Sequence, residues 1–183
     1  MTKNDGWIQT YTGKRFYPLD PNPDDIDIVD IAAALSKTCR FGGHTVMWYS
    51  VAEHCVHVAR HAAPEYKLAA LLHDASEAYL VDVPRPIKPL ITNYYDIETK
   101  IEHAIAKKFG ITFPLPEAVK LLDSRILSDE RDQAMKPTDF SHTEWGNILV
   151  PLGVKLNFWG PGDASMRYLD AFERYNSMST SSN

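Results

Sequence analysis

The sequence predicts an all-α protein, a helical bundle with a small N-terminal β-hairpin. Three observations predict it. Apolar residues recur at three and four along most of the chain from residue 28 onward, prolines punctuate those stretches, and aromatic and β-branched residues flank a glycine turn near the start. With 183 residues, 44% hydrophobic and 23% charged, the chain has the composition of one compact domain. That domain is expected over residues 1–176, with a flexible polar tail over 177–183.

In chain order, residues 7–17 read as two short strands around Gly13. Pro18, Pro21 and Pro23 interrupt regular structure, and Asp24, Asp25 and Asp27 supply caps for a helix beginning near Ile28, with Ile28, Ile31, Ala32 and Leu35 on one face. Further helices are expected over 50–62, 65–81, 94–109 and 117–135; in the second, Leu68, Leu71, Leu72, Ala75 and Tyr79 form the apolar stripe. Pro84, Pro86 and Pro89 force an extended loop, and Pro114 and Pro116 separate the last two helices of this set. Residues 136–162 are rich in aromatics and turn formers without a period, and read as an ordered, irregular segment that covers the site or meets another subunit. A final helix is expected over 163–175.

A net charge of −5, a pI near 5.8 and the lack of a basic stripe exclude an electrostatic grip on a nucleic-acid polymer. A small anion held locally by a few cations or a metal is compatible with that overall sign. No apolar run approaches bilayer length and residues 1–6 lack the apolar core of a secretory signal, so no membrane partner and a cytoplasmic location are expected. Cys39 and Cys55 match neither a metal knuckle nor a disulfide framework and read as core residues. The aromatic stretch 145–159 makes a homo-oligomer the expectation.

The residues able to carry chemistry fall on three of the expected helices. His73, Asp74 and Glu77 share the side opposite the Leu68, Leu71, Leu72 and Ala75 stripe, which by itself is also the pattern of a solvated polar face. Asp123 sits among Val119, Ile126 and Leu127, where a carboxylate needs a cation, a metal or a proton; Glu130 falls on the same side, its simplest partner being Arg40, Arg125 or Arg131. His54 borders the Val51, Cys55 and Val58 face, with His57 and His61 read as exposed bystanders. His44, His103 and His142 carry no signal of this kind. Together His54, His73, Asp74 and Asp123 make a mixed nitrogen and oxygen donor set, suited to one divalent ion such as manganese, cobalt, iron or zinc.

These residues resemble the HD superfamily of metal-dependent phosphohydrolases, whose helical fold binds a divalent ion through a His…His-Asp…Asp pattern. The resemblance spans residues 36–132 and is closest to the small 5′-deoxyribonucleotidases and the phage dATP triphosphohydrolases similar to them. It is carried by Cys39-Arg40-Phe41-Gly42-Gly43-His44 followed by Ser50-Val51-Ala52-Glu53-His54, by His73-Asp74-x-x-Glu77 with Asp82 and Pro84-x-Pro86-x-Lys88, and by Val119-Lys120-Leu121-Leu122-Asp123. The resemblance implies an HD-domain bundle in which Glu77 positions water or shuttles a proton and Asp82 orients water or the sugar. It further implies that Arg40, Lys88 and Lys120 hold phosphate oxygens and that Phe41 packs near the sugar or base, where relatives often have tryptophan. Arg85 lies outside the matched pattern and reads as surface. The implied substrate is a small nucleotide, with release of phosphate from a deoxynucleoside 5′-monophosphate as the leading reaction. Release of triphosphate from a dATP-type substrate is the alternative, and a non-catalytic nucleotide or metal sensor is the reading from another class.

Overall fold

Residues 6–139 and 149–180 are described by the structure, a computed structural model. Two short strands, β1 (Ile8–Gln9) and β2 (Arg15–Phe16), pair antiparallel. Gly13 takes a positive φ of 85° between them, which a side chain would resist. Seven α-helices follow among the described residues: α1 (Ile28–Leu35), α2 (Val51–His61), α3 (Lys67–Leu71), α4 (Glu77–Leu80), α5 (Tyr94–Phe109), α6 (Glu117–Ala134) and α7 (Pro161–Thr180). The fold is thus all-α with a small N-terminal hairpin, as the periodicity predicts.

The helix ends follow from local chemistry. Asp27 caps α1 by accepting from Val29 N, and Ser50 caps α2 by accepting from Glu53 N. Gly110, at φ 67°, closes α5 in the left-handed conformation. Helix α7 packs across α1, α2 and α3, and α2 lies against α3, α6 and α7, so α2 is the central helix. Val51, Ala52, Cys55, Val58 and Ala59 on α2 are fully buried. The hairpin joins this core through Phe16, whose ring stacks on Tyr79 at 3.9 Å.

The continuous helix expected over 65–81 is not formed. The chain makes a 3-10 turn (Pro64–Tyr66), then α3, then a run of tight turns before α4. Through that run the amides bond three residues back, as in Ala75 N to Leu72 O and Glu77 N to Asp74 O. The carbonyls at the end of α3 find other donors: Ala70 O accepts from His73 Nδ1 at 2.8 Å, and Leu71 O from the Tyr168 hydroxyl of α7 at 2.9 Å. The break is therefore stabilised by side chains that the helical period of the sequence does not register.

Two further boundaries differ from expectation. Helix α7 begins at Pro161, which fits the first helical position, and continues to Thr180, beyond the expected end at 175 and into the tail predicted over 177–183. The irregular segment is ordered over 149–160 by side chains acting in place of a ladder. Asp129 accepts from Leu152 N, Gly153 N and Val154 N, while Glu53 accepts from Asn157 N, Phe158 N and Trp159 N. Trp159 is buried in its own chain, stacked on His57 and flanked by Arg60 and Arg167. It is thus part of this chain's core rather than of a free self-association surface, while Trp145 and His142 lie outside the described residues.

Candidate metal centre

Three elements supply the donors. His54 comes from the middle of α2, where the cap at Ser50 fixes the first turn and the apolar neighbours Val51, Cys55 and Val58 hold the helix in the core. His73 and Asp74 come from the break between α3 and α4, and Asp123 from the second turn of α6. On a regular helix adjacent residues point about 100° apart; the tight turns instead bring His73 Nε2 to 3.3 Å from Asp74 Oδ2.

Three of the donors, His54, His73 and Asp123, converge, and Asp74 stands beside the two imidazoles. His54 Nε2 lies 3.2 Å from His73 Nε2, 3.2 Å from Asp123 Oδ1 and 3.6 Å from Asp74 Oδ2, and His73 Nε2 lies 3.8 Å from Asp123 Oδ1. An ion ~2.1 Å from each donor requires neighbouring donors roughly 3.0–3.4 Å apart, depending on coordination geometry. The observed separations approach that spacing, and His54, His73 and Asp123 form a group able to hold a metal ion. The tautomers agree with this. His73 donates Nδ1–H to Ala70 O and His54 faces Glu130 through Nδ1, which leaves both Nε2 atoms directed at each other and at the carboxylates.

The electrostatics call for positive charge at the same point. Burial opposes a charge on His73, but Asp74 and Asp123 outweigh it and hold the imidazole well above its usual range. His54 is also raised: burial and Arg40 act against its charge, and Glu130 and Asp123 prevail. Burial likewise opposes ionisation of Asp74, yet the two imidazoles bring its carboxyl down to about 2. For Asp123 the imidazoles overcome burial and hold the carboxyl well below the ordinary range. A divalent ion would take the place of those imidazole protons.

Around the donors stand the other residues singled out in the sequence. Arg40 is buried, bonds Glu130 Oε2 through Nη2 at 3.1 Å and brings Nη1 to 3.7 Å from Asp74 Oδ2. Of the three partners considered for Glu130, Arg40 is the one it meets; Arg125 instead bonds the carbonyls of Val150 and Pro151, and Arg131 pairs with Asp132. Phe41 follows with φ 55°, and its ring lies 5.3 Å from the Arg40 guanidinium carbon. Glu77 is buried and, through burial and the charges of Asp74 and Asp82, is held well above the usual carboxyl range. Its Oε2, like Arg40 Nε, is buried without a hydrogen-bond partner among the described residues. Asp82 follows Val81, a β-branched residue at φ 65°, and is raised by burial against the pull of Arg40.

Two residues expected at the site are turned to other partners. Lys120 is exposed and pairs with Glu117 Oε1 at 2.6 Å, one turn away on α6. Lys88 pairs with Glu98 Oε1 at 2.7 Å and lies over the Tyr94 ring. Arg85 is exposed, as read. His57 is not an exposed bystander; it is buried between Glu53 and Trp159, whereas His61 is exposed. Cys55 was expected only as core, and it is buried and unpaired. It also forms a second potential donor group with His73 and Asp74, although burial pushes its thiol up to about 11 and so disfavours the thiolate. Sequence reasoning missed Tyr49, whose hydroxyl bonds Glu130 Oε1 at 2.7 Å; its place one residue before the α2 cap was the only signal.

Fold and site together define an all-α protein with a candidate metal-binding group of histidine and aspartate. The chain is 43% identical over 125 residues to the uncharacterized protein YfdR of Escherichia coli (strain K12), covering 68% of this chain and 70% of that protein. It is 38% identical to the uncharacterized protein RCAP_rcc00048 of Rhodobacter capsulatus, covering 78% of this chain and 79% of the relative. It belongs to the family of these proteins. No protein-family model matches the sequence. No helix among the described residues is long and apolar enough to cross a membrane.

Proposed function

We propose that the protein is an HD-type metal-dependent phosphohydrolase that releases phosphate from deoxynucleoside 5′-monophosphates. The observation that carries this reading is the convergence of His54, His73 and Asp123, with Asp74 against the two imidazoles and buried Arg40 and Glu77 beside them. A divalent manganese, cobalt, iron or zinc ion held there would supply Lewis-acid charge stabilisation and make water a stronger nucleophile near neutral pH. Arg40 offers its guanidinium, whose Nη1 faces the donor cluster, to a phosphate oxygen, a charge-assisted contact that fixes the phosphoryl group. Glu77, whose carboxyl burial and the charges of Asp74 and Asp82 hold above the usual range, shuttles a proton from the attacking water to the leaving 5′-oxygen as the water oxygen bonds to phosphorus and the P–O bond to the sugar breaks. Asp82 orients the attacking water or the sugar, and Phe41 covers the sugar or base.

The pairing of Lys88 with Glu98 and of Lys120 with Glu117 favours the monophosphate over a dATP-type triphosphate, because the latter needs more unpaired cationic surface. Incubation with Mn²⁺ or Co²⁺ and each deoxy- and ribonucleotide, as mono- and triphosphate, tests the reading. Free phosphate from a deoxynucleoside monophosphate is expected, with activity lost in Asp123→Ala while its far-ultraviolet circular dichroism stays helical. Release of triphosphate would transfer the assignment to the triphosphohydrolase, and nucleotide binding without any hydrolysis would make the protein a sensor.

A further inference from the structure

Glu130 is fully buried on α6, two turns beyond Asp123, and three groups from distant parts of the chain donate to its carboxylate. Arg40 Nη2 bonds Oε2 at 3.1 Å, while the Tyr49 hydroxyl at 2.7 Å and His54 Nδ1 at 2.5 Å share Oε1. We propose that Glu130 is a positioning residue that couples the metal ligand His54 to the anion-binding Arg40. This inference rests on the reading of the cluster as a metal centre.

The argument is one of donors and acceptors. An ionised carboxylate only accepts, so His54 must present Nδ1–H to it, which leaves Nε2 as the atom that faces His73 and Asp123 and can ligate an ion there. The same carboxylate occupies one end of the Arg40 fork, leaving Nε unbonded and Nη1 directed toward Asp74. One buried group therefore sets both the imidazole tautomer and the aim of the guanidinium. A glutamine at this position has the same shape but only one accepting oxygen. With that oxygen toward His54 and Tyr49, the amide NH₂ meets Arg40 and displaces it; flipped, the NH₂ meets His54 and favours the tautomer that cannot ligate through Nε2.

Titration calorimetry with Mn²⁺, and then with inorganic phosphate at saturating Mn²⁺, distinguishes this from a purely structural role. For folded Glu130→Gln, Mn²⁺ affinity is expected to fall about 10- to 100-fold, with phosphate affinity falling alongside it. A variant that melts earlier yet binds both ligands as the wild type does would overturn the coupling and leave Glu130 a packing residue. Absence of Mn²⁺ binding by the wild type would overturn the metal centre and this inference with it, so the two failures are distinguishable. Should Glu130→Gln not fold, ¹⁵N-histidine NMR of the Mn-free wild type loaded with diamagnetic Zn²⁺ decides. A proton on His54 Nδ1 with Nε2 bound to the metal supports the coupling, and the opposite tautomer overturns it.

Discussion

Glu102 stands one turn beyond Glu98 on α5, half-buried, and lines a small pocket with Leu72, Ile105 and Phe113. Burial first, and then the charge of Glu98, push its carboxyl up from 4.5 to about 7. The folded chain holds this proton more tightly than the unfolded one, so stability falls as pH rises from about 4.5 to about 7. Glu102→Gln should remove that slope. Discounted for solvent screening, the variant is expected to gain on the order of 1 kcal/mol at pH 8 and almost nothing at pH 4. Denaturant titrations at both pH values check this, and a variant equally shifted at each would contradict it. At this scale the donors were readable because their placement conflicts with their surroundings: Asp123 among apolar neighbours and His54 at the edge of a core face both ask for a partner. Tyr49 and the burial of His57 were not readable, since both depend on residues about 80 and 100 positions later in the chain.

The break between α3 and α4 illustrates what a helical period leaves out. No glycine or proline interrupts residues 65–81, so the pattern of Leu68, Leu71, Leu72 and Ala75 runs through the break unchanged. The carbonyls released there are taken by His73 and by Tyr168, a residue roughly a hundred positions away. Periodicity fixes which residues face the core, and all four are buried, but it does not report that the backbone between them has tightened. The segment over 149–160 has the same origin: its order comes from acids on α2 and α6 rather than from its own pattern. Asp129→Ala, which strips three amides of their acceptor, should cost about 2–3 kcal/mol and expose this segment to proteolysis. Denaturant unfolding with mapping of the first cleavage checks this; wild-type stability with cleavage elsewhere would contradict it.

Across the whole molecule, fold class and the order of elements follow from periodicity and proline punctuation, because those signals are local and repeated. The site is legible only in part, because it is assembled from residues separated by most of the chain: Arg40, His54, the His73–Asp74 pair, Asp123 and Glu130. Lys88 and Lys120 each pair with an acid outside the donor cluster, although Lys88 remains near enough to the site for the charges of Glu77 and Asp74 to act on it. The half-buried carboxylates of Asp74 and Asp123 stand against the buried imidazoles of His54 and His73, so a cation bound among them should stabilise the native state by linkage. The most direct test is anomalous scattering from crystals grown with Mn²⁺. One manganese peak per chain is expected, about 2.1 Å from His54 Nε2, His73 Nε2, Asp74 and Asp123. Crystals in which manganese is bound elsewhere, or in which these four side chains surround no peak, would contradict the account.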